Sequence, residues 1–265
     1  MILAAVLGDP ISHSRSPALH GHWLRHHGID GAYVPLRVTA VVLPDLLRMM
    51  PGLGFAGCNV TIPHKEAALA LADTATDRAR RIGAANTLVF ADGVIHADNT
   101  DGYGFLANLA AGARWDPARP VLILGAGGAA RAVIDALSRA GARDVRVANR
   151  TRARADALAH AFPGTRAVEW GPDLQGLGLL VNTTALGMVG QPSLDIDLSE
   201  LPGDAVVTDI VYTPLETDLL AAARARGNPV VDGLGMLLHQ AVPGFRAWFG
   251  VEPRVDGALR DAVLE

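Results

Sequence analysis

Pro120-Val121-Leu122-Ile123-Leu124-Gly125-Ala126-Gly127-Gly128-Ala129-Ala130 is an apolar run that breaks into a glycine-rich turn. Consecutive aliphatic side chains with no polar alternation fit a strand covered on both faces, as in the parallel sheets of α/β proteins. The turn Gly125-x-Gly127-x-x-Ala130 follows, and a helical pattern continues to about residue 140. Strand, glycine turn and helix in that order make the entrance to a dinucleotide site. The first glycine permits the tight turn, the second lets a pyrophosphate approach the backbone, and the small third residue lets the helix close on the strand. Gly125, Ala126, Gly127, Gly128 and Ala129 therefore form the candidate phosphate approach, where the helix N-terminus offers free N–H groups.

The end of the next strand decides which dinucleotide. An NAD site usually carries Asp or Glu there for the ribose hydroxyls. Here residues 144–148 run into Asn149-Arg150-Thr151, with Arg154 one turn into the following helix. Asp144 begins that strand and so belongs to the opposite edge of the sheet. Arg150 and Arg154 suit a 2′-phosphate, with Thr151 as hydroxyl donor and Asn149 heading the turn. The expected cofactor is NADP.

Outward from this unit, short apolar runs alternate with helical patterns, which predicts an α/β fold with largely parallel sheets. Upstream strands are expected at 2–7, 33–38, 57–61, 87–90 and 94–97, and helices at 17–27, 41–50, 65–71, 77–82 and 101 to about 111. Ser16-Pro17 reads as a helix start with Ser16 as the cap. Trp115-Asp116-Pro117 marks a crossing into the second unit. Its remaining strands are expected at 144–148, 179–182, 205–211 and 229–231. Helices at 236–249 and 256–264 have no strand between them, so a return to the first domain is expected.

Composition narrows the class. The 265 residues are 50% hydrophobic and 19% charged, with a net charge of −4. No basic tract marks a nucleic-acid surface, and no apolar run approaches the roughly eighteen residues of a membrane span. The single Cys58 excludes an internal disulfide. The N-terminal run has no basic n-region, and a cytoplasmic protein is expected. Lys65 is the only lysine, so 22 of the 23 Lys+Arg residues are arginine. Arginine replaces lysine as a charge but not where a proton must be released, which makes Lys65 a candidate acid–base group.

Other polar residues gather at expected strand ends. Ser14 and Ser16 precede a helix N-terminus, which suits a carboxylate. Asn59, Thr61 and Lys65 follow one strand, and Asn86 and Asp101 lie at further strand boundaries. Ligands of open α/β sheets collect beyond the carboxyl ends of the strands. A set of neutral hydrogen-bonding groups with one acid and one base fits a polyhydroxylated small acid, not an apolar ligand. Among His13, His20, His22, His26 and His27, only His22 and His26 form a clean i,i+4 pair, and no carboxylate or thiol accompanies them, so no metal site is expected.

These motifs together resemble the shikimate dehydrogenase family over essentially the whole chain. The resemblance is carried by Gly8–Pro17, Asn59–Lys65, Gly83-Ala84-Ala85-Asn86-Thr87, Asn99–Gly104, Gly125–Ala130, Asn149-Arg150-Thr151, Asn182–Met188, Asp209-Ile210-Val211-Tyr212 and Asp232–Gln240. It implies a mixed α/β substrate-binding domain over 1–103, a Rossmann-like NADP-binding domain over 104–231, and C-terminal helices over 232–265 that return to the substrate domain. It implies that Ser14 and Ser16 hold the substrate carboxylate, and that Thr61, Asn86, Tyr212 and Gln240 contact carboxylate or ring hydroxyls. Lys65 and Asp101 would be the catalytic pair, and Asp77, Ile210 and Gly233 would contact the cofactor. The implied reaction is NADPH-dependent reduction of 3-dehydroshikimate to shikimate, by a monomer or homodimer acting on a small molecule. Two alternatives are a quinate/shikimate dehydrogenase using NAD and a non-catalytic ligand sensor on the same scaffold.

Overall fold

The computed structural model describes every residue from Met1 to Glu265. In chain order its elements are β1 (Ile2–Gly8), α1 (Ser16–His26), β2 (Gly31–Arg37), α2 (Leu43–Met49), β3 (Phe55–Val60) and α3 (Lys65–Leu71). Next come β4 (Thr74–Ala75), α4 (Asp77–Ile82), β5 (Thr87–Ala91), β6 (Val94–Asp98) and α5 (Asp101–Gly112). Then follow β7 (Val121–Leu124), α6 (Gly128–Arg139), β8 (Val145–Ala148), α7 (Arg152–Ala161), β9 (Thr165–Val168) and β10 (Leu179–Asn182). The chain finishes with β11 (Val206–Asp209), α8 (Asp218–Ala225), β12 (Val230–Val231), α9 (Leu234–Phe249) and α10 (Gly257–Leu264). They form two compact units: Met1–Asp101 with Leu237–Glu265, and Gly102–Met236. The divisions at 101/102 and 236/237 fall inside α5 and α9.

In the first unit the sheet order is β2-β1-β3-β5-β6-β4. β1 is parallel to β2 and β3, whereas β5 runs antiparallel to both β3 and β6. The reversal is local. Asp92 and Gly93 have φ of 52° and 76° between the paired residues Ala91 and Val94. Two positive-φ residues in a two-residue loop match the twist of the strands they join. The short β4 and the polar edge strand β9 escape a reading by apolar periodicity, since neither carries a buried run.

Ser16 is not the cap expected of it. It lies inside α1, whose preceding residue Arg15 makes no side-chain cap. The Ser14 hydroxyl instead accepts from the Ser16 N–H at 3.3 Å. Behind α1, the rings of His20, Trp23, Tyr33, Phe245 and Trp248 form one aromatic cluster. It packs α9 on α1 and β2, and the Trp248 indole N–H, donating to the Leu88 carbonyl at 2.9 Å, adds a polar tie.

His20 is the anomaly in that cluster. It is fully buried, and neither ring nitrogen has a hydrogen-bond partner. Burial pushes its pKa down to about 3. The unfolded chain therefore binds a proton that the native state refuses, so stability falls as pH drops from about 6.5. His20→Phe keeps the stacked ring and removes this proton linkage. Between pH 7 and 5, wild type should lose about 2 kcal/mol more stability than the variant. Urea denaturation at both pH values measures this, and equal pH slopes would refute it.

In the second unit all strands are parallel, in the order β12-β11-β10-β7-β8-β9. Strand order reverses between β7 and β10, which makes the crevice outside their carboxyl ends the expected ligand site. Both faces of β7 are covered. Val121 and Ile123 join a cluster with Val133, Ile134 and Leu137 of α6, and Leu122 and Leu124 join the opposite cluster with Leu219 and Leu220 of α8. No helix is long and apolar enough to cross a membrane.

Candidate active site

In the first unit, Lys65 and Asp101 are the first residues of α3 and α5. Their side chains meet, with Nζ 2.5 Å from Oδ2, and both are largely buried at 19% and 8% exposure. The other carboxylate oxygen, Oδ1, accepts from Asn86 Nδ2 at 2.8 Å. The Asp101 N–H donates to Asn99 Oδ1. The carboxylate is thus fixed on both oxygens, and the ammonium keeps further donors for a ligand. The buried imidazole of His64, 2.6 Å from the Val38 carbonyl, pins the turn that delivers Lys65.

Asn86 is the hub of this site. Its Oδ1 accepts from the Thr100 N–H at 2.8 Å and from the Thr87 hydroxyl at 3.0 Å. Its Nδ2 faces Asp101 and Gln240 Oε1, the latter at 3.0 Å. Gln240 comes from α9 and is held again where its carbonyl accepts from the Thr100 hydroxyl. Asn59 sits behind. Its Nδ2 donates to the Asn86 carbonyl and to Thr87 Oγ1, at 3.1 and 3.2 Å. Both amide protons of Asn59 are therefore engaged within the protein, and its side-chain oxygen accepts from the Tyr33 hydroxyl at 2.7 Å. Thr61 lies half-buried at the end of β3 and makes no side-chain hydrogen bond. Ser14 and Ser16 stand at the start of α1. Tyr212 is the one member of the expected substrate set in the second unit, half-buried just beyond β11.

The expected cofactor residues divide the same way. Asp77, exposed at the start of α4, belongs to the first unit; the others belong to the second. Gly125 has φ +104°, and a Cβ there would stand 2.8 Å from the Thr183 hydroxyl. Beyond it, a Cβ on Gly127 or Gly128 would meet nothing within 4 Å. The 12-residue helix α6 starts here without a side-chain cap on its first N–H groups. Ala129 and Ala126 are half-buried beside them. Asn149 Nδ2 donates to the Thr151 carbonyl at 2.9 Å and shapes the turn after β8. Arg150 and Arg154 are exposed and carry no ion pair, unlike Arg152, which is held by Asp156 and Glu169. Asp144 lies just before β8, where the Arg166 and Arg146 guanidiniums lower its pKa to about 2, so it does not serve a ribose at the other end. An open glycine cradle, uncapped N–H groups and two unpaired guanidiniums fit a dinucleotide with an extra phosphate.

One buried node escapes sequence reading. Asp209 accepts from Asn182 Nδ2 at 3.0 Å, the Val211 N–H at 2.9 Å and the Thr217 hydroxyl at 2.8 Å. Burial raises its pKa against those three bonds. The node ties the loop after β10 to the loop carrying Ile210 and Tyr212. Gly233 packs on that second loop, where a Cβ would stand 2.4 Å from the Ile210 carbonyl.

Similarity to known proteins covers both units. The shikimate dehydrogenase substrate-binding domain family matches residues 6–88, the shikimate/quinate 5-dehydrogenase family 113–172, and the shikimate 5′-dehydrogenase C-terminal domain family 233–263. A shikimate dehydrogenase (NADP(+)) of Methylobacterium radiotolerans is 61% identical, over 98% of this chain and 96% of that protein. The chain belongs to the shikimate dehydrogenase family. Among solved members of the family, shikimate 5-dehydrogenase of Thermus thermophilus in complex with NADP(H) and shikimate superposes with a TM-score of 0.91. It is 41% identical, over 100% of this chain and 99% of that one. Quinate dehydrogenase of Corynebacterium glutamicum in complex with NAD gives 0.90 at 35% identity, over 99% and 98%.

Proposed function

We propose that Lys65 and Asp101 are the acid–base pair with which this protein reduces 3-dehydroshikimate to shikimate, reversibly and with NADPH. The 2.5 Å contact between them, inside a set of buried amides and hydroxyls, carries the reading. The protein is an NADP-dependent oxidoreductase acting on a CH–OH group, as its relatives are. NADPH, when bound, supplies the hydride. Gly125, Gly127, Gly128 and the α6 N-terminus would hold its pyrophosphate; Arg150, Thr151 and Arg154 its 2′-phosphate; Ile210, Gly233 and Asp77 its remaining contacts.

The ketone oxygen gains negative charge during reduction and requires a proton. The Lys65 ammonium donates it, and in the reverse direction neutral Lys65 takes it back. Asp101 holds the ammonium toward the reacting oxygen while Asn86 keeps the carboxylate from rotating. Ser14 and Ser16 bind the substrate carboxylate; Thr61, Asn86, Tyr212 and Gln240 meet carboxylate or ring hydroxyls. Acid–base assistance contributes about 10²–10⁴-fold, and positioning of two bound ligands contributes much of the rest. The same reading describes a cytoplasmic monomer or homodimer.

The test is loss of the NADPH absorbance band on mixing with 3-dehydroshikimate. Rapid oxidation is expected, and shikimate with NADP should be turned over faster than quinate with NAD. No oxidation would favour a non-catalytic sensor, and a preference for quinate and NAD would favour the alternative dehydrogenase.

A further inference from the structure

Tyr33 has no role in the chemistry above, yet it joins Asn59 of that site to the helix that carries Ser16. Its ring is buried and stacks on His20, with centroids 3.9 Å apart and planes 7° from parallel. Its hydroxyl donates to Asn59 Oδ1 at 2.7 Å. His20 and Ser16 are one turn apart on α1. The ring is thus backed by α1 through His20, one turn from Ser16, and its hydroxyl holds the end of β3.

The direction of the hydrogen bonds gives this arrangement a consequence. Because Tyr33 donates to Oδ1, the Asn59 amide must turn its protons toward Thr87 and the Asn86 carbonyl. Thr87 then donates onward to Asn86 Oδ1, and Asn86 donates to Asp101. Four donors point in sequence from Tyr33 to the carboxylate that holds Lys65. Without the Tyr33 hydroxyl, a buried carbonyl oxygen would lose its donor and the Asn59 amide would be free to reverse.

We infer that Tyr33 is a positioning residue for the reaction, locking the serine-bearing turn of α1 to the Asn59 end of the network that orients Asp101. The inference rests on the proposed reading of Ser16 as a carboxylate ligand. Tyr33 touches neither reactant.

The experiment is steady-state kinetics of Tyr33→Phe, Ser16→Ala and the double variant, with shikimate and NADP varied separately. Tyr33→Phe should lower kcat/KM for shikimate about tenfold and leave KM for NADP unchanged. In the Ser16→Ala background its further effect should shrink, because the serine that the held turn presents is then absent. A change in shikimate kcat/KM under about threefold, or a parallel rise in KM for NADP, would overturn the inference. If Tyr33→Phe does not fold, His20→Ala keeps the hydroxyl and removes the backing of the ring. It should raise KM for shikimate alone, and an unchanged value would overturn the inference equally. An unchanged KM for shikimate in Ser16→Ala alone would sink the carboxylate reading instead, and a Tyr33→Phe loss would then stand through Asn59.

Discussion

Lys65→Arg should lose about 10²-fold or more in turnover while the protein folds and binds shikimate nearly as well as wild type. The substitution preserves the positive charge beside Asp101 and can preserve the ion pair. What it removes is the ability to release a proton, since guanidinium stays protonated throughout the accessible pH range. A purely electrostatic role for Lys65 would survive it. Rates of shikimate oxidation and 3-dehydroshikimate reduction, with KM for each substrate, separate the two roles. A loss in kcat with little change in KM is the expected pattern. Turnover near that of wild type would remove Lys65 from the proton transfer, and Asp101 would then need another partner.

Arg150→Ala carries the second large effect. Arg150 is exposed, unpaired and placed at the carboxyl end of β8, beside a turn that Asn149 holds in shape. A charge-assisted hydrogen bond to a phosphate is worth about 1.5–3 kcal/mol, which is roughly 10- to 100-fold in affinity. KM for NADP should rise by that factor while KM for NAD stays within about twofold. The ratio of the two matters, because a general weakening of the turn would raise both together. Equal losses for NADP and NAD would show that Arg150 does not read the 2′-phosphate and would pass that role to Arg154.

Features with a local cause were legible in the chain. The β7 run, the positive-φ glycine and the small residue of α6 each answer to neighbours a few positions away. Seven residues of α3 and six of α4 fall where apolar spacing puts them. The solitary lysine pointed to proton chemistry because arginine stands at every other Lys/Arg position. The cap of α1 misread for an equally local reason. Ser16 and Ser14 are both suited to capping, and the choice turned on which hydroxyl faced the first N–H, a matter of backbone angle and not of residue type.

The pairing of Lys65 with Asp101 joins residues 36 positions apart, and Gln240 reaches Asn86 across 154. Such contacts depend on sheet register and on the return of α9, and neither is encoded in any short window of sequence. The same holds for Asn59. Its position at a strand end marked it as a ligand-binding amide, but the fold engages both of its protons within the protein. Tyr33 read only as the start of a strand, and the Asp209 node only as a pattern shared with relatives. Residue types, their periodicity and their spacing thus specified which chemistry was present and roughly where along the chain it lay. Which hydrogen-bonding groups remain for a ligand and which are already satisfied was settled by packing, because a buried donor takes the partner that the assembled sheet presents to it.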